Sequence, residues 1–125
     1  MYTAIVLDEE SHNKMVKLVG DSKNWEVIAH HMTVNMGKLN ETFNSREILG
    51  QRVKMVVDAV ASDHRVMAAR VLTTEPTVKS ANKTTHVTLM VNRSLGGKPF
   101  HSNELNEWLD LADPIEIFGV VEEIK

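Results

Sequence analysis

The chain has 125 residues, 42% of them apolar, enough for one compact domain over residues 1–125 with a core of its own and too few for a second. It sets 14 Lys and Arg against 17 Asp and Glu, a net charge of −3, whereas proteins that grip long nucleic acid carry a basic face; a small phosphate ester or the end of a polynucleotide is the easier partner, and long duplex is not expected. Cysteine is absent, which removes disulfides and thiolate metal sites and fits a cytoplasmic protein, and neither a secretory leader nor a membrane-length apolar run is expected.

Residues 2–7 form a short apolar, β-branched run that reads as a buried strand. Asp8, Glu9 and Glu10 suit a helix start, with Ser11 as another cap. Met15, Leu18 and Val19 then recur at i, i+3 and i+4 ahead of Gly20, the pattern of an amphipathic helix and its end. After a polar turn at 21–24, residues 25–36 read as one strand. Regular alternation there sets Ala29, His31, Thr33 and Asn35 on one face and Ile28, His30, Met32 and Val34 on the other, which makes His30 a satisfied structural histidine.

Residues 38–46 are a polar loop placed to lie near a site. The apolar run from Ile48 to Val60, the turn residues Ser62 and Asp63 and the return over 64–72 predict a hairpin. An irregular connection over 73–85 leads into a strand at 85–91, where His86, Thr88 and Met90 share a face. Gly96 and Gly97 match no phosphate-loop spacing and read as a connector. Ser102 is predicted to cap a second helix on which Leu105, Trp108 and Leu109 repeat the earlier spacing, with Trp108 in the core, before a final strand at 115–124. The two halves share an order of elements without a residue-level repeat, which suggests two lobes facing each other across a groove.

Two stretches carry chemistry: His31-Met32-Thr33-Val34 and His86-Val87-Thr88-Leu89. On a strand each offers an imidazole beside a hydroxyl, backed by an apolar side. Imidazole titrates near neutrality, so one ring can take a proton from a nucleophile while the other gives one to a leaving group. Two hydroxyls suit phosphate oxygens as neutral donors. The plain alternative is a pair of half-buried strand histidines satisfied by neighbouring backbone.

The chain resembles the 2H phosphoesterase superfamily, named for two His-x-Thr/Ser-apolar motifs, through residues 31–34 and 85–89, the latter followed by Arg93. The resemblance, to a compact RNA-repair or phage type, implies an α+β fold of two lobes, with antiparallel sheets lining a central groove and two helices packed outside. It further implies a phosphodiesterase without metal or cofactor, in which His31 and His86 exchange protons with a cyclic or 2'-linked nucleotide phosphodiester while Thr33 and Thr88 hold its non-bridging oxygens. A 2',3'-cyclic phosphate RNA end, a 2',5'-oligonucleotide and a cyclic oligonucleotide all remain open as substrate, as does the division of acid and base between the histidines.

Four residues are candidates to touch the substrate. Tyr2 and Phe43 could stack on a base; Lys83 and Arg93 belong to a group of cations around the second motif that includes Lys79 and Lys98. Besides a purely structural or interaction domain, for which the sequence supplies no positive feature, two readings compete with the enzyme. One is a nucleotide- or RNA-end-binding module without turnover. The other is a metallohydrolase, which lacks a third ligand at a recognisable spacing.

Overall fold

The computed structural model describes residues 1–22 and 24–125; Lys23, read as part of the polar turn at 21–24, lies outside them. Its strands are β1 (Tyr2–Leu7), β2 (Glu26–Val27), β3 (His31–Met36), β4 (Arg52–Ser62), β5 (Val66–Glu75), β6 (His86–Val91) and β7 (Leu109–Ile124), with α1 (Glu9–Val19) between β1 and β2. The sheet runs β2-β6-β3-β1-β7-β4-β5, and a further β5–β6 pairing joins its ends. Six antiparallel strands therefore close into a barrel, with β2 as an extra strand on β6.

This corrects the expected two-lobed α+β architecture. A groove between lobes requires two open sheets, whereas here β6 pairs with β5 on one side and with β3 on the other. Closure also removes the sheet edges that two separate sheets would expose. The interior is filled by the apolar side of the six barrel strands, including Ile5, Met32, Val34, Val53, Met55, Val57, Val71, Val87, Leu89 and Ile117, all fully buried. Each such side chain contributes about 1.5–3 kcal/mol by leaving water.

Helix α1 forms where its signals lie. Asp8 accepts a hydrogen bond from the Ser11 amide at 2.8 Å, and Gly20 ends the helix at φ 67°. Met15 is buried, and Leu18 and Val19 pack against the core. The Ser11 hydroxyl accepts from the Phe118 amide at 2.7 Å, which ties the helix to β7. No helix among the described residues is long and apolar enough to cross a membrane.

The second predicted helix does not form. Pro99–Glu104 is a 3-10 turn, the chain is extended at Leu105, and β7 begins at Leu109. The reason lies in β4, whose far end needs a partner: Leu109 pairs with Val60 and Asp110 with Ala59 before a register shift passes to Ile115 opposite Val57. Pro114 falls in that irregular stretch, where a missing amide is tolerated. Trp108 is consequently half-buried rather than core, and Leu109 is exposed.

Residues 25–36 are also not one strand. β2 opposes β6 through Glu26–Val91 and Val27–Met90, but β3 meets it through Met32–Val87, a register two residues out of step. The surplus is absorbed at 28–30, where Ala29 takes φ 44° and the His12 ring nitrogen donates to its carbonyl at 2.8 Å. His30 thereby leaves the apolar side and becomes exposed. The β4–β5 hairpin forms as expected, its turn held by Asp63 accepting from the Arg65 and Val66 amides.

Candidate active site

β3 and β6 meet at Met32 and Val87, which lie opposite each other. Both point into the core, so the residues flanking them point outward. Antiparallel register sets His31 across from Thr88 and Thr33 across from His86. The two motifs are thus related by a local two-fold axis through the Met32–Val87 pair, and each imidazole neighbours the other motif's hydroxyl. The site lies on the outer wall of the barrel, not between lobes.

His86 is buried, and its Nδ1 donates to the carbonyl oxygen of Thr84 at 2.8 Å. A carbonyl only accepts, so this bond places a hydrogen on Nδ1 and leaves Nε2 for other chemistry. Burial holds the ring's pKa below its ordinary value of 6.5, while the Thr84 carbonyl, which favours the cation, acts the other way.

His31 is half-buried, with its ring centroid 5.0 Å from that of Tyr2. Its Nδ1 stands 2.9 Å from Nδ1 of His30, one nitrogen donating and the other accepting. Its pKa is pushed down to about 4, chiefly by burial and then by the like charges that His30 and His86 would carry when protonated.

The two hydroxyls differ. Thr33 Oγ1 has no hydrogen-bond partner among the described residues, although its backbone carbonyl accepts from Ser80 at 2.8 Å. Thr88 Oγ1 lies 2.8 Å from the hydroxyl of Ser102, which is buried, and 3.3 Å from the Pro99 carbonyl. Ser102 therefore holds Thr88 from behind, in place of the helix-capping role expected of it.

All four motif residues line one cleft of about 480 Å³, together with Tyr2, Asn82, Phe100 and Asn103. Asn82 precedes β6, while Phe100 and Asn103 come from the 3-10 turn. The sequence pointed to Lys83, beside Asn82, but not to Asn82, Phe100 or Asn103 themselves, because only the folded chain brings them over β3 and β6. Phe100, 59% exposed, presents a large aromatic side chain at the cleft.

The other candidates lie elsewhere. Phe43 and Arg93 do not line the cleft. Phe43 sits beside Asn44, whose side chain exchanges two hydrogen bonds with the Lys79 backbone. Arg93 is engaged by Glu26 at 2.6 Å and by the Gly97 carbonyl. Lys83 borders an adjoining cavity. Gly96 and Gly97 do not line the cleft either, as a connector requires: a side chain on Gly97 would collide with the backbone of Arg65 and Asn92. Among the described residues no group of three or more His, Cys, Asp or Glu is placed to hold a metal ion.

Residues 11–116 match the fungal tRNA ligase phosphodiesterase domain. The chain belongs to this family. The tRNA ligase phosphodiesterase domain is a 2H phosphoesterase-type cyclic phosphodiesterase, in agreement with the two His-x-Thr motifs, and both motifs fall within the matched region. Membership supports an enzyme with cyclic phosphodiesterase activity on RNA ends. No curated protein matches the chain.

Proposed function

We propose that this tRNA ligase phosphodiesterase domain opens 2',3'-cyclic phosphate RNA ends without a metal ion, with His31 as general base and His86 as general acid. The observation that carries the reading is the convergence of both imidazoles and both threonine hydroxyls on one cleft wall.

His31 has only another imidazole at its Nδ1. With the shared hydrogen on His31 and His30 accepting, the lone pair of His31 Nε2 is left to take a proton from water as the water oxygen bonds to phosphorus. The lowered pKa keeps that lone pair available at neutral pH. His86 is the better acid because the Thr84 carbonyl supports its imidazolium, and Nε2–H then protonates the ribose oxygen as its bond to phosphorus breaks. The product is a phosphomonoester beside a free hydroxyl. Thr33 donates to one non-bridging oxygen. Thr88, receiving a hydrogen from Ser102, turns its own hydrogen from Pro99 toward the other.

The test is hydrolysis of an RNA oligonucleotide with a 2',3'-cyclic end, in EDTA, by the wild type, His31→Ala and His86→Ala. Each variant should lose about 10²–10⁴-fold in kcat while retaining its circular dichroism. Binding without cleavage by the wild type would replace this reading with that of a binding module.

A further inference from the structure

Beside the cleft lies a second cavity of about 440 Å³, within the ~300–1,000 Å³ range of small-ligand sites. The two share Ala81, Asn82 and Asn103, so one opens beside the other across a common wall. The second cavity adds Lys83, Asn106 and Trp108. We propose that it is a subsite for the nucleotide next to the reacting one, so that the enzyme prefers RNA ends of two or more nucleotides to a cyclic mononucleotide. The inference rests on the reading of the cleft as the phosphodiesterase site.

Its chemistry matches that of a nucleotide. Lys83 is exposed and enters no ion pair among the described residues, which leaves its ammonium group for the linking phosphodiester. Trp108, half-buried after the expected helix fails to form, supplies an aromatic wall for a base. Asn103 and Asn106 present amides that both donate and accept, as base edges do. The anionic wall residue, Glu104, is paired with Arg65 at 3.2 Å and so repels a phosphate less. In a chain of net charge −3, an unpaired cation on the wall of this cavity biases where the polynucleotide lies.

The experiment compares kcat/KM for a 2',3'-cyclic mononucleotide with that for a trinucleotide bearing the same cyclic end, in the wild type, Lys83→Ala and Trp108→Leu. The wild type should favour the trinucleotide by about tenfold, mainly through KM. Both variants should lower that ratio, and Lys83→Ala, at an exposed position, keeps the test independent of folding. Equal kcat/KM for the two substrates in the wild type, or an unchanged ratio in both variants, overturns the subsite while leaving the cleft reading intact. Cleavage of neither substrate overturns the cleft reading and the subsite with it.

Discussion

Nδ1 of His30 and Nδ1 of His31 stand 2.9 Å apart, so a single hydrogen serves both rings. Two neutral imidazoles tolerate this contact, whereas two cations would repel. The arrangement follows from the extra residues at 28–30, which turn His30 out of the strand alternation and beside its neighbour.

One consequence is the pH dependence of turnover. The base must be neutral and the acid protonated, so kcat/KM should rise as pH increases through about 4, where His31 loses its proton, and fall as His86 loses its own below 6.5. The expected profile is a bell with its maximum on the acid side of neutrality. Activity that climbs steadily from pH 5 to pH 8 would rule out this assignment of base and acid.

His30 should control the acidic limb. Replacing it by Phe keeps an aromatic side chain but removes the nitrogen and the charge facing His31. The limb should then move upward by only part of the whole displacement, since burial is the larger cause. An unmoved limb with an unchanged kcat would show that His30 has no hold on His31.

The same pKa bears on stability. An imidazole whose folded pKa lies below the unfolded value near 6.5 binds more protons in the unfolded chain, so its stabilising contribution is complete above pH 6.5 and declines as pH falls toward 4. For His31 the loss is at most roughly 3 kcal/mol. Thermal unfolding at pH 4.5 and pH 7 should show a smaller difference in Tm for His31→Gln than for the wild type; equal differences would remove His31 as the cause.

The two threonines should part company on substitution. Thr33→Val removes a hydroxyl with no internal partner, and should cost about 10–100-fold in kcat/KM with little change in Tm. Thr88→Val also strands the buried Ser102 hydroxyl, and should cost about 1–3 kcal/mol of stability as well as activity. A stability loss in Thr33→Val equal to that in Thr88→Val would contradict the geometry.

The contrast between what the residues announced and what they concealed follows the range of the interactions. Outward His31 and Thr33, inward Met32 and Val34, and the Asp63 turn are consequences of local alternation and local hydrogen bonds, and all were readable. Barrel closure depends on Val66 to Arg70 meeting His86 to Val91, a long-range pairing that no window of sequence displays. The spacing of Leu105, Trp108 and Leu109 imitated a helix because the demand that overrode it, the unpaired end of β4, comes from a strand some fifty residues earlier. Phe100 is not distinguished from the other aromatics by sequence for the same reason: its place over the cleft exists only once the 3-10 turn packs on Thr88 through Ser102.

Aromatic contacts to the terminal base should therefore come from Tyr2 and Phe100, with Phe43 taking no part. Tyr2 lies on β1 against the His31 ring, and Phe100 stands exposed on the cleft wall, whereas Phe43 belongs to the loop joined through Asn44 to Lys79. Stacking on a base is worth about 1–3 kcal/mol per aromatic contact. Tyr2→Ala and Phe100→Ala should each raise KM for the trinucleotide by about 5-fold or more with kcat less affected, a difference that the same stacking energy sets. Phe43→Ala should leave KM where it was. If KM responds to Phe43 but not to Tyr2 or Phe100, the base lies outside the cleft described, and this placement of the substrate is wrong.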